Sequence, residues 1–148
     1  MTSIIAVMQQ WLNTCPYMDQ FSCGIHIDWT DCTNGCYGLA PVGCSDVSID
    51  EDVSGCIVKT KQYNLVLYAR NWTINDVIRL ENTEFLENFQ EWVDQQQYTG
   101  QTPKFGDDPE EEIITAQNGM LYLLDPNGQS GVYQVQISIT FEKHYERM

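Results

Sequence analysis

Residues 75–97, NDVIRLENTEFLENFQEWVDQQQ, decide the fold of this chain. Ile78, Phe85, Phe89, Trp92 and Gln96 recur at helical spacing along one stripe, and Leu86 and Val93 widen it. Glu84, Glu87, Glu91 and Asp94 fall on the opposite face. Asn75 is the expected N-cap, since its side-chain oxygen can accept from the first unpaired N–H groups. Asp76 sets a carboxylate at the positive end of the helix. Gly100 and Pro103 follow the last turn and stop it. One side is thus an aromatic wedge that needs burial. The other is a row of carboxylates that must be solvated or turned toward a partner.

The flanks supply the surface for the wedge. Residues 132–142 alternate cleanly, with Tyr133, Val135, Ile137, Ile139 and Phe141 on one face and Gln134, Gln136, Ser138, Thr140 and Glu142 on the other. Asp125-Pro126-Asn127-Gly128 predicts a hairpin turn before that strand. Residues 113–124 read as a strand or strand pair interrupted at Gln117-Asn118-Gly119, where a bulge fits. Residues 56–71 begin with alternation and end as an apolar run from Leu65 to Ala69, as a strand exposed at one end and central at the other would. Residues 36–42 are the expected return from a strand at 24–30, with Tyr37 and Leu39 inward and Pro41 marking an edge. Val47 to Ile49 suggest a further short strand, and Asp50, Glu51, Asp52 and Gly55 a turn. Residues 2–14 read as a first helix with Ile4, Ile5, Met8, Trp11, Leu12 and Cys15 on its apolar side, ended by Pro16. The order predicts one α+β domain over residues 1–148: a mostly antiparallel sheet with both helices packed on one face.

Residues 98–112, YTGQTPKFGDDPEEE, hold two glycines, two prolines and five acids, so a long acidic loop is expected. Pro103, Phe105, Asp107 and Asp108 are its candidates for contact with a neighbouring subunit. Over all 148 residues, 7 Lys+Arg stand against 21 Asp+Glu, a formal net charge of −14. Such a surface repels phosphate and anionic membrane at long range, which argues against ordinary nucleic-acid binding. No apolar run approaches the roughly 18 residues of a membrane span. The N-terminus lacks the charged lead of a signal peptide, so synthesis in a cytosol and reduced thiols are expected.

Signals for chemistry are weak. Cys23, Cys32, Cys36 and Cys44 cluster, but a structural zinc site wants pairs two to four residues apart, twice over, and only Cys32 and Cys36 have that spacing. A metal module is therefore the lesser reading, and thiols used as small packing residues the greater; Cys15 and Cys56 read the same way. His26 and Asp28 share a strand face and could orient an imidazole. A surface polar pair is the plainer account. His144 reads as solvent-exposed. No phosphate loop, dinucleotide fingerprint, zinc-protease helix or nucleophile elbow occurs. An interaction protein without cofactor or catalysis is expected.

In its order of elements the chain resembles the tail-terminator (minor capsid) proteins of long-tailed bacteriophages. The resemblance covers nearly the whole length. It rests on the opening helix closing in Thr14-Cys15-Pro16 and on the strand that runs into the helix at 75–97. It rests further on FLENFQEWVDQQ at 85–96, on Gly100, Pro103 and Gly106, and on Tyr133-Gln134-Val135-Gln136-Ile137. The cysteine-rich stretch 23–56 departs from the family pattern. The resemblance implies an α+β virion protein, made in the host bacterial cytoplasm, that forms a ring, usually six-fold, on the head-proximal end of the tail tube. It implies as partners the chain itself, the tail-tube protein and the head-completion or connector protein, with DNA passing through unbound and no membrane. Glu84, Glu87, Glu91 and Asp94 would then line the lumen and repel phosphate. Two other readings stay open: a different head–tail joining protein, and an acidic DNA mimic that occupies a basic groove on a nucleic-acid-binding protein.

Overall fold

The structure, a computed structural model, describes residues 4–16, 25–27, 36–103 and 112–146. Seven elements follow in order: α1 (Ile4–Leu12), β1 (Ile25–Ile27), β2 (Cys36–Glu51), β3 (Cys56–Trp72), α2 (Asp76–Thr99), β4 (Ile113–Leu124) and β5 (Ser130–Glu146). The strands form one sheet in the order β1-β2-β3-β5-β4. All neighbours are antiparallel except β1 and β2. The chain is an α+β domain with both helices on one face of the sheet.

The spine of the sheet is the pair β3 and β5, in unbroken register from Cys56 opposite Glu146 to Trp72 opposite Ser130. Period-2 alternation in β5 buries Tyr133, Val135, Ile137, Ile139 and Phe141 toward the helices, as expected. Leu65, Leu67 and Ala69 of β3 and Tyr37 and Leu39 of β2 join them. Onto this surface α2 sets its wedge. Phe85, Leu86, Phe89, Trp92 and Val93 are all buried, and Phe89 is fully so. Neighbouring rings of Phe85, Phe89 and Trp92 lie about 6 Å apart, and Trp92 meets Trp11 of α1 at 4.7 Å. Trp11 thereby ties the short first helix into the same core.

Helix α2 starts and stops as its sequence dictates. Asn75 accepts a hydrogen bond from Ile78 N at 2.9 Å. Gly100 takes the left-handed conformation at φ 74°, and the Gly100 and Gln101 amides both donate back to Gln96 O. Because Tyr98 and Thr99 still lie in the helix, the expected loop at 98–112 begins later than its composition suggests.

Three details differ from the sequence reading. The segment at 36–42 does not return antiparallel from 24–30: Ile25, His26 and Ile27 run parallel to Tyr37, Gly38 and Leu39. Val47 to Ile49 form no separate strand but continue β2, which passes irregularities at Pro41/Gly43 and Asp46/Ser48 without leaving its partner β3. Asn82, omitted from the buried stripe, is only 2% exposed.

The expected features of the second half hold. Gln117 and Met120 bracket a register shift, Asn118 has φ 58°, and the bulge fits under α2. Gly119 is needed there, because a Cβ would lie 3.2 Å from Leu86 Cβ, and its N–H donates to Gln90 Oε1 at 2.8 Å. Asp125 and Gly128 close the hairpin turn through Gly128 N to Asp125 O at 2.8 Å, with Gly128 at φ 71°.

Candidate functional site

Three surfaces remain once the core is filled: the outer face of α2, the open face of the sheet, and the sheet's edges. Glu84, Glu87, Glu91 and Asp94 are all exposed on α2, opposite the wedge, as their spacing requires. Glu87–Glu91 and Glu84–Glu87 stand at four- and three-residue separations, where like charges cost an exposed helix a few tenths of a kcal/mol per pair. The buried wedge outweighs that cost, so the row is compatible with a folded subunit and stays exposed to water.

The open face of the sheet is polar but knitted together. Gln62 Nε2 donates to Ser138 Oγ at 2.7 Å, and Ser138 Oγ donates to Asn64 Oδ1 at 2.9 Å. Asn118 Nδ2 donates to Gln136 Oε1 at 3.0 Å. A shallow depression of about 240 Å³ lies among Val42, Asn64, Val66, Gln117, Gln136 and Ser138. Its lining offers amides and hydroxyls already engaged with one another, which suits contact with another polar surface more than chemistry on a bound molecule.

Beyond Pro41 the outer half of β2, with the first half of β3 and the end of β5, extends past the helices as an arm. Val42, Val47, Ile49 and Val53 are exposed along it, Val53 completely. The arm is stiffened locally. Asp52 Oδ1 accepts from Ser54 N, Ser54 Oγ and Cys56 N and so closes the turn at its tip. Asp46 lies 3.1 Å from Lys61 Nζ and 3.6 Å from Lys59 Nζ. The Lys61 hydrogen bond holds the Asp46 carboxyl below the usual aspartate range, and the same bond raises Lys61. A depressed carboxylate stabilises the fold above its unfolded-state pKa and loses that contribution as pH falls through the folded value. The arm's contribution is accordingly present near neutrality and fades only in acid. In a carboxyl-carbon NMR titration, Asp46 is expected to titrate below a free aspartate, and Lys61→Met to move its midpoint upward. An unchanged midpoint in that variant would assign the shift to another cause.

The opposite edge of the sheet is β4. Met120, Leu121, Tyr122, Leu123 and Leu124 are 38–58% exposed, and no charged residue occurs between Glu112 and Asp125. Tyr122 rests against Tyr68 at 6.0 Å on the open face. This apolar edge was not singled out from sequence. Its signal was the unbroken MLYLL run at 120–124, which breaks the alternation expected of a half-buried strand.

The acidic loop is tied down at both ends by its own subunit. Trp11 Nε1 donates to Gln101 O at 3.0 Å, and Thr102 and Pro103 are buried. Gln97 accepts from Ile114 N at 2.7 Å and donates to Glu112 O at 3.3 Å. Pro103 is itself buried within its own subunit, next to the segment that Trp11 holds, and so is not placed as an outward contact. Phe105, Asp107 and Asp108 lie outside the described residues, as do Cys23, Cys32 and Asp28. Among the described residues, no three His, Cys, Asp or Glu side chains are placed to hold a metal ion. Cys44 is exposed on the arm, Cys15 is buried in the core and Cys56 is half-buried. His144, near the end of β5, is exposed beside Glu142 at 3.4 Å. No helix among the described residues is long and apolar enough to cross a membrane. Set against models of known protein families and against curated protein sequences, the chain matches none.

Proposed function

We propose that this chain is a non-catalytic phage or prophage tail terminator, a subunit of a ring that caps the head-proximal end of the tail tube. The observation that carries the proposal is the pairing of a well-packed α+β subunit with a separate, exposed carboxylate row on α2. Glu84, Glu87, Glu91 and Asp94 take no part in holding the subunit together. Turned toward a ring lumen, such a row repels the phosphate backbone, so a genome passes without adhering. The tail-tube protein would seat one side of the ring and the connector the other. In this reading the chain needs no cofactor, is made in the bacterial cytoplasm and ends in the virion.

The test is polymerisation of the cognate tail-tube protein with and without this chain, imaged by negative-stain electron microscopy. Shortened tubes bearing a disc at one end are expected. Unchanged lengths with bare ends would remove capping. A ring reconstruction with the carboxylate row facing outward would remove the lumen assignment while leaving capping in place. The same exposed row also fits a DNA mimic. That reading gains if the chain binds a basic nucleic-acid-binding protein at low salt, loses it at high salt, and leaves tubes unchanged. A different head–tail joining role gains if the disc binds the connector without limiting tube length.

A further inference from the structure

We propose that the open face of the sheet is a binding platform for a neutral glycan, a chain of uncharged sugar units. The inference goes beyond the tail reading and stands without it. Three observations carry it.

The first is charge. Residues that face one another across the ladders share a side of the sheet. On the side away from the helices, every position from Gln62 to Tyr68 on β3, from Gln134 to Thr140 on β5 and from Thr115 to Met120 on β4 is uncharged. Arg70, just beyond Tyr68, is matched by Asp125 at 3.1 Å. A chain of net charge −14 repels phosphate, sulfate and carboxylate at long range, and a face without an unmatched cation does nothing to offset that. The ligand suited to such a face is neutral.

The second is hydrogen-bonding capacity that is held in place but only half used. Gln62 and Asn64 each meet Ser138 through one end of the amide, and Gln136 meets Asn118 through its Oε1. Among the described residues, this leaves Asn64 Nδ2 and Gln136 Nε2 to donate and Gln62 Oε1 to accept, on side chains already ordered by a neighbour. Gln117, exposed across the register from Gln136, keeps both ends of its amide. Asn64, Gln117 and Gln136 line the depression of about 240 Å³ together with the apolar side chains of Val42 and Val66. A pyranose ring has the matching character, with hydroxyls that donate and accept round its rim and C–H bonds on its faces.

The third is aromatic surface beside that depression. Tyr122 is 58% exposed, and its ring lies 6.0 Å from that of Tyr68. Tyr68 follows Val66 by two residues on β3, about 7 Å along the strand and on the same side of the sheet. An exposed ring in uncharged surroundings offers a flat apolar surface with a hydroxyl at its end, against which the C–H face of a sugar stacks. A ligand of more than one sugar unit spans the rings and the amides together.

A glycan array tests this with the full chain. It carries neutral oligosaccharides of glucose, galactose, mannose and N-acetylhexosamines, with sialylated and sulfated glycans as controls. Binding is expected to neutral oligosaccharides and not to the acidic ones. With the strongest neutral oligosaccharide as the probe in isothermal titration calorimetry, Tyr122→Ala and Gln117→Ala are each expected to weaken binding about tenfold or more. Glu87→Gln, on the exposed face of α2, should leave it unchanged. Circular dichroism reports whether each variant keeps its fold. Gln117 is exposed and makes no side-chain hydrogen bond to another described residue, so its truncation keeps the test open if Tyr122→Ala unfolds. No binding to any neutral glycan overturns the proposal and leaves the face to a protein partner. Equal binding to sulfated glycans overturns it as well, since charge then fails to select. Native affinity in folded Tyr122→Ala and Gln117→Ala would place any glycan site elsewhere and overturn the platform.

Discussion

Replacing Phe89 by alanine is expected to lower stability by about 3–5 kcal/mol, the usual cost of deleting a buried aromatic side chain and leaving a cavity. Phe89 is fully buried between Phe85 and Trp92, at the centre of the wedge. Its neighbours are ring faces held on a rigid helix, so they cannot collapse into the space left behind. The cost includes lost ring–ring contact as well as lost burial. For a domain of this size the loss is a large share of total stability, and the variant is expected to be partly unfolded at physiological temperature. Urea unfolding followed by tryptophan fluorescence measures it, since Trp92 and Trp11 report the same core. Glu87→Gln, on the exposed face of the same helix, should lie within about 0.5 kcal/mol of the parent. A loss below about 1 kcal/mol for Phe89→Ala would mean that α2 is not anchored as described.

Asn82→Ala is expected to cost about 2–3 kcal/mol, which is much for a polar residue on a helix. Asn82 Nδ2 donates to Trp72 O at 2.9 Å and to Tyr133 Oη at 3.3 Å, and its Oδ1 accepts from Asn71 Nδ2 at 2.8 Å. One buried amide thus joins the end of β3, the start of α2 and β5. Truncation takes this partner from the buried Tyr133 hydroxyl and from the partly buried Trp72 carbonyl and Asn71 amide, and the desolvation penalty of such groups exceeds the net worth of the bonds themselves. Asn71→Ala alone should cost less, because its amide can turn to solvent. If the double variant costs no more than Asn82→Ala, the two amides act as one unit, whereas simple additivity would show that they do not. Thr73 and Arg79 brace the same corner, through Thr73 Oγ1 to Gly128 O at 2.9 Å and Arg79 Nε to Thr73 O at 2.8 Å.

Asn82 also shows where reading by residue type falls short. It lies three positions before Phe85 and seven before Phe89, in the middle of the buried stripe by helical geometry. An amide at that place reads as polar and outward unless its partners are known, and those partners come from strands ten and fifty positions away. The β1–β2 pair shows the same limit. Tyr37 and Leu39 point inward whichever way the neighbouring strand runs, so side-chain alternation is silent on direction, which hydrogen bonding across the pair decides. Pro103 illustrates a third case. Its neighbours are loop formers, yet Thr102 and Pro103 are buried beside the Trp11 hydrogen bond to Gln101, a contact ninety positions away in sequence.

Sequence by itself determined the wedge on α2, its caps at Asn75 and Gly100, the bulge at Asn118-Gly119, the turn at Asp125–Gly128 and the inward set on β5. Each depends on local geometry: a period of 3.6 or 2, or a backbone conformation that few residue types adopt. It likewise determined that Glu84, Glu87, Glu91 and Asp94 face away from the core. Only the tertiary structure decided that β1 runs parallel to β2, that β2 runs on into an arm, that Asn82 is buried, and that β4 lies at an edge with its apolar run uncovered. These depend on which strand neighbours which. That choice is a competition among long-range pairings in which each candidate strand satisfies the same local rules, so it is settled by the packing of the whole chain.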